Sequence, residues 1–163
     1  MKNVLKRVKN YSVDDFKRLK ITSNAFKFGE SIPPQYTCEG KNYNPPLDIE
    51  FIPEKAKCLA IMVVDFDAPL KPWIHWMVWN VPITHHIKEN FNIGISGIND
   101  FANFNYSGPC PNKQEHHYFF KIYALDTLLE LSSSATSVQM EKAMSEHILG
   151  FGEIMGTYRR IRN

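Results

Sequence analysis

Cysteine is scarce in this chain. Cys38, Cys58 and Cys110 are the only three, and none forms a CxxC pair. An odd, scattered count gives no disulfide framework and points to a reducing compartment. No apolar run is long enough to span a membrane. The basic start breaks off at Val4-Leu5, where Lys6-Arg7 follows at once, so no signal-peptide core is expected. A cytoplasmic address follows from these absences. No GxxxxGK[ST] loop is present, which excludes the nucleotide P-loop. Net charge is only +2. Lysine and arginine gather at the two ends, Lys2 to Lys9 and Arg159 to Arg162, and read as solvated termini. No nucleic-acid partner and no stable membrane anchor are expected.

What is present is an ordinary globular balance: 44% hydrophobic and 22% charged residues in 163. That suits one domain with a single sizeable core. Ser12-Val13-Asp14-Asp15 has capping-box-like spacing and predicts a short helix to about Leu19. We assign residues 1–22 to a helical appendage and 23–163 to the main domain. Breakers then dominate, from Gly29 and Pro33-Pro34 to Pro53. Leu47 to Phe51 alternates with period two. Cys58 to Val64, Trp76 to Val81 and Tyr118 to Leu125 are apolar runs of central-strand length. This spacing predicts a mostly β, sandwich- or barrel-like sheet. A later helix follows Thr136, with Gln139 at capping-box distance. Met140, Ala143, Met144, Ile148 and Phe151 form its core face, and Gly150 is its stop.

Polar residues concentrate in two motifs, Asp65-Phe66-Asp67-Ala68-Pro69 before His75-Trp76, and Gly108-Pro109-Cys110-Pro111 before His116-His117-Tyr118. Asp65 and Asp67 lie two apart at a strand end. They face one side if strand geometry persists; the competing reading is a turn. A carboxylate beside His75 would hold the ring and favour its charged form. The prolines around Cys110 exclude regular helix or central strand. Gly108 permits close backbone approach to a ligand. Neither His85-His86 nor His116-His117 can chelate as strand neighbours. A mixed Asp65, Asp67, His75 and His116 set is the alternative metal reading. We assign no metal and no cofactor. Cys110 with His116 does not make a convincing nucleophile–base pair.

Taken in order, these motifs resemble the phosphatidylethanolamine-binding protein family, also called Raf-kinase-inhibitor-like, and most of all its bacterial and archaeal branch. The resemblance is carried by Ile32 to Asn42, Pro45-Pro46-Leu47, Lys57 to Ala60, Asp65 to Pro69, His75-Trp76, Asn80-Val81-Pro82 and Asn99-Asp100-Phe101. It continues through Tyr106 to Pro111, His116 to Asp126 and Gly156 to Arg159. It implies a β-sandwich-like fold with a few peripheral helices and a small pocket for phosphate-like groups. The matching positions are Asp65, Asp67, Pro69, His75, Gly108, Pro109, His116 and Tyr118. The histidines would donate to the anion, and the Gly108 region would offer backbone N–H groups. The family pattern is altered at Phe66, Gln114 and His117. The resemblance implies a binding or regulatory protein for a phosphorylated or anionic ligand, with a kinase or protease as protein partner and a homodimer as assembly. The alternative is a small hydrolase or phosphoesterase using Asp67 and His75.

Overall fold

The computed structural model describes residues 17–161. Six strands form the main sheet: β1 (Lys17–Arg18), β4 (Cys58–Asp65), β5 (Trp73–Val81), β7 (Ile95–Ser96), β8 (His116–Leu125) and β9 (Ile148–Tyr158), in the order β1-β9-β8-β4-β5-β7. A smaller sheet holds β2 (Lys20–Thr22), β3 (Leu47–Glu50) and β6 (His86–Ile87), in the order β2-β3-β6. Among the described strands all pairings are antiparallel except β1 with β9, and an isolated parallel bridge joins Ser31 to Thr157. The mostly β, sandwich-like architecture is the expected one.

Burial explains the composition of each strand. β4 is central, and all eight of its residues are buried. Such a strand must be apolar on both faces, which is why it reads as a continuous run rather than an alternation. Leu59, Ile61 and Val63 pack towards the smaller sheet, with Trp76, Phe120 and Ile122. Ala60, Met62 and Val64 pack on the other face, with Met77, Tyr123, Met140 and Met144. The two edge strands, β1 and β7, are two residues each. Edges that short offer little to a foreign strand.

Three boundaries depart from the expectations. Residues 1–16, which carry most of the expected first helix, lie outside the described residues. Lys17–Thr22 are not part of an appendage, because they form β1 and β2. The later helix, α1 (Ser137–Met144), has the expected capping box: the Thr136 side chain accepts from Gln139 N, and Gln139 bonds back to Thr136 N. It stops six residues before Gly150, which belongs to β9. Ile148 and Phe151 are strand residues packed in the same cluster as Met140 and Met144. The apolar stripe had the right destination, but tertiary pairing with β8 overrides helical periodicity beyond Ser145.

Candidate functional site

The ends of β4, β5 and β8 meet below the loop 108–112. Asp65 closes β4, and across the ladder it pairs with Trp73 of β5 and Tyr118 of β8. A β-bulge between Val63 and Val64 shifts the β5 register beside His75. Bulges re-aim side chains near sites. The result is a cavity of about 140 Å³, lined by Asp65, Ala68, Pro69, Trp73, His75, Phe101, Cys110, Pro111, Asn112, His116 and Tyr118.

Asp65 organises the floor. Its Oδ2 lies 2.7 Å from His116 Nδ1, and its Oδ1 accepts from the Asp67 backbone N–H at 2.8 Å. The second bond is an Asx turn that ends the strand. It also separates the two carboxylates. Asp67 leaves the cavity and accepts from both the backbone N–H and Nδ1 of His117, at 2.8 and 2.7 Å. Partial burial raises the Asp67 carboxyl, but the His117 bonds outweigh it and leave the group below its usual value. The expectation that both carboxylates share one side is therefore corrected: His116 and His117 are strand neighbours, and each takes one of them.

His75 is buried on the cavity wall. Its Nδ1 lies 2.5 Å from the Ser107 carbonyl oxygen. Burial pushes the ring pKa down from its ordinary 6.5, against the pull of Ser107 and Asp65. The ring meets Phe101 and Tyr118 edge-on, with centroids 5.0 and 5.2 Å away. The Tyr118 hydroxyl is fully buried without a hydrogen bond of good geometry. Burial first, then the Asp65 charge, holds the phenol above its usual range. The Asp65 carboxylate and the Cys110 backbone lie beside that hydroxyl, which is a donor on the cavity wall.

Asn99 is a residue whose role went unread. Its Nδ2 donates to the carbonyls of His75 and Asn105 and to Ser107 Oγ, at 2.9, 2.9 and 3.0 Å. Its Oδ1 accepts from Phe101 and Asn103. One buried amide thus fixes both the His75 backbone and the segment that supplies the Ser107 carbonyl. The resemblance included Asn99 but gave no reason for it. Trp73, Phe101 and Asn112, which also line the cavity, carry no polar-cluster signal in the sequence.

The Gly108 loop differs most from expectation. Gly108 N–H donates to Asn42 Oδ1 at 2.7 Å and is not free for a ligand. A Cβ here would lie 2.2 Å from the Tyr36 carbonyl oxygen. The close approach that requires glycine is to the chain's own backbone. Neither Gly108 nor Pro109 lines the cavity. Pro109 O accepts from Cys38 N–H at 3.1 Å, and a disulfide joins Cys38 to Cys110, with Cα atoms 5.5 Å apart. That bond corrects the reading of the cysteines. Two loops far apart in sequence are brought together by backbone pairing that no cysteine count can show. It also removes the Cys110 thiol as a nucleophile and leaves Cys58 as the buried free cysteine.

Of the eight positions carried by the resemblance, the cavity gathers five: Asp65, Pro69, His75, His116 and Tyr118. Asp67, Gly108 and Pro109 stand outside it. Phe66, Gln114 and His117, where the pattern is altered, do not line it either. Among the described residues no cluster of three or more His, Cys, Asp or Glu is placed to hold a metal ion.

Comparison with known proteins agrees with the fold. The family model for phosphatidylethanolamine-binding protein matches residues 22–159. This chain belongs to the phosphatidylethanolamine-binding protein family. It is similar to a UPF0098 protein of Pyrococcus abyssi, 47% identical over 149 residues, covering 85% of this chain and 84% of that protein. A UPF0098 protein of Methanothermobacter thermautotrophicus is 39% identical, covering 87% and 99%. Among solved structures, a phosphatidylethanolamine-binding protein homologue of Chlamydia trachomatis superposes with a TM-score of 0.84 at 36% identity, covering 88% of this chain and 98% of that one. YbcL of E. coli, described as a member of the mammalian family, gives 0.82 at 29%, covering 88% and 99%. Family membership supports a small binding protein. Among the described residues no helix is long and apolar enough to cross a membrane.

Proposed function

We propose that the cavity beneath loop 108–112 receives a phosphoryl-type anion, free or as a phosphoethanolamine-like headgroup, and holds it without chemistry. One observation carries the reading. His75, the Asp65–His116 pair and the buried Tyr118 hydroxyl all line a space of about 140 Å³, which suits one tetrahedral anion. The alternative hydrolase on Asp67 and His75 gains nothing from the geometry, since Asp67 is half-exposed and bound to His117 outside the cavity.

The test is a titration of isotope-labelled protein with phosphoethanolamine, following the imidazole signals of His75 and His116. Saturable shifts at both rings in wild type, and none in Asp65→Ala that remains folded, support the pocket. Unmoved rings in folded wild-type protein overturn it. Incubation with phosphomonoesters, with and without divalent metals, should leave them intact; turnover would revive the hydrolase reading. The cytoplasmic address belongs to this proposal with one added condition. The Cys38–Cys110 bridge must persist there, as disulfides do inside hyperthermophilic archaea and bacteria. Alkylation of thiols at the moment of lysis, followed by mass measurement, checks it.

A further inference from the structure

This inference rests on the anion reading above and concerns the protons. His75 Nδ1 lies 2.5 Å from the Ser107 carbonyl oxygen, and His116 Nδ1 lies 2.7 Å from Asp65 Oδ2. Both oxygens can only accept, so each Nδ1 carries a hydrogen. A neutral imidazole has one N–H, and here it is already used. In the neutral form of either ring the remaining nitrogen, Nε2, is then a lone pair. A phosphoryl or sulfate oxygen is also an acceptor. Two acceptors do not bond without a proton between them.

The surrounding charges sharpen the point. No lysine or arginine is among the described residues lining the cavity. Lys71 is outside it, 3.1 Å from Asp100. His75, on β5, feels Asp65 from β4 and Asp100 from the loop after β7, and it meets the Tyr118 phenol from β8. His116, on β8, faces Asp65 and lies within electrostatic reach of Asp67. With neutral rings the site carries the Asp65 charge alone, which repels an anion. Tyr118, the Trp73 indole and the Asn112 amide are the side-chain donors that remain. Burial of His75 also favours its neutral form.

We propose that anion capture and proton uptake are one event: each fully ionised tetrahedral anion enters together with about one proton, which bridges a histidine Nε2 and an anion oxygen. The pocket is thus selective for protonated or proton-accompanied anions. A phosphate monoester, whose second pKa is about 6, can bring this proton itself. Sulfate, fully ionised in this range, must draw it from solvent onto a histidine.

Isothermal titration with sulfate, inorganic phosphate and phosphoethanolamine, from pH 6 to 8 and in buffers of different ionisation enthalpy, tests this. The expected result for sulfate is uptake of about one proton, with affinity falling about tenfold from pH 7 to pH 8. In nitrogen-detected spectra, Nε2 of one ring should change from unprotonated to protonated on binding, while both Nδ1 stay protonated. His75→Gln, whose amide donates without titrating, should lower the proton count if His75 is the ring used. Sulfate binding with no buffer dependence and no pH slope overturns the inference and leaves the anion pocket standing. Binding of none of the three anions at pH 6 overturns both. Phosphoethanolamine binding more tightly than inorganic phosphate would identify a headgroup as the source; equal affinities would identify the free anion.

Discussion

His116 and Lys121 lie on the same strand, β8, yet they live in opposite circumstances. On one face of the sheet, the polar groups of Asp65, His75, His116 and Tyr118 border a space. On the other, the Lys121 ammonium is fully buried, 3.6 Å from Glu153 Oε2, with the rings of Phe66 and Phe151 5.1 and 5.7 Å away. Neither Lys121 Nζ nor Glu153 Oε2 has a hydrogen-bond partner. Burial pushes the Lys121 pKa down, and Glu153 opposes that. Both clusters contain buried, imperfectly satisfied polar atoms. A titratable cluster therefore does not announce a binding site. What separates the two is whether the unsatisfied atoms border room for a ligand or are sealed by aromatic rings.

That comparison can be broken at four points. The largest effect is expected at the sealed cluster. Glu153→Gln leaves a buried ammonium facing a neutral amide, with Glu141 as its remaining counter-charge, and should lower unfolding stability by about 3 kcal/mol in urea titrations. Anion binding at the other face should be unchanged; a loss of binding without unfolding would mean that the faces communicate. Next comes Tyr118→Phe. It deletes a hydroxyl that makes no hydrogen bond of good geometry with its neighbours Asp65 and the Cys110 backbone, so stability should move by less than about 1 kcal/mol, while anion affinity drops about tenfold. A large loss of stability would show the hydroxyl to be structural after all.

Third is the dependence of stability on pH. His75 has a folded pKa below its ordinary 6.5, so the unfolded chain binds more protons in that interval. Its contribution is complete above 6.5 and fades as pH falls through the folded value. Lys121 has a folded pKa below 10.5, so stability rises with pH up to that value. His75→Gln should flatten the acid slope alone, and Lys121→Met the alkaline slope alone, in melting curves taken across pH. If one substitution flattens both, the clusters are coupled. The smallest effect belongs to His117→Ala, because the exposed Asp67–His117 pair contributes at most about 0.5 kcal/mol and lies outside the cavity. Anion affinity within twofold of wild type is expected, and a larger change would return Asp67 to the site.

Much of the main sheet was legible because β4, β5 and β8 are apolar runs bounded by turn residues, and a central strand can be little else. The helix start was legible from Thr136 and Gln139, since a capping box is a local device. Its end was not, because pairing of β9 with β8 settles it from a distance. At the site, Asp65, His75, His116 and Tyr118 announced themselves by chemistry. Asp67 misled for a physical reason: a period-two argument fails one residue after the strand ends, and the Asx turn on Asp65 ends it there. Asn99 and Phe101 entered only as part of the resemblance, with no role, and Trp73 not at all, since their roles depend on where a loop folds back. Phe66 is instructive. The family pattern is altered there, yet the ring lies outside the cavity, edge-on to Phe119 with 5.3 Å between centroids, and covers Lys121.

The disulfide has a consequence for the chain before it folds. Cys38 and Cys110 are 72 positions apart, and the ring they close contains β3, β4, β5, β6 and β7. Closing a ring of that size removes conformations from the unfolded ensemble and favours the native state by about 4 kcal/mol on a chain-entropy account. Very little of that effect resides in native contacts. The oxidised and reduced chains thus start from different disordered populations, and a wall of the cavity is held in place partly by what the unfolded polymer can no longer do.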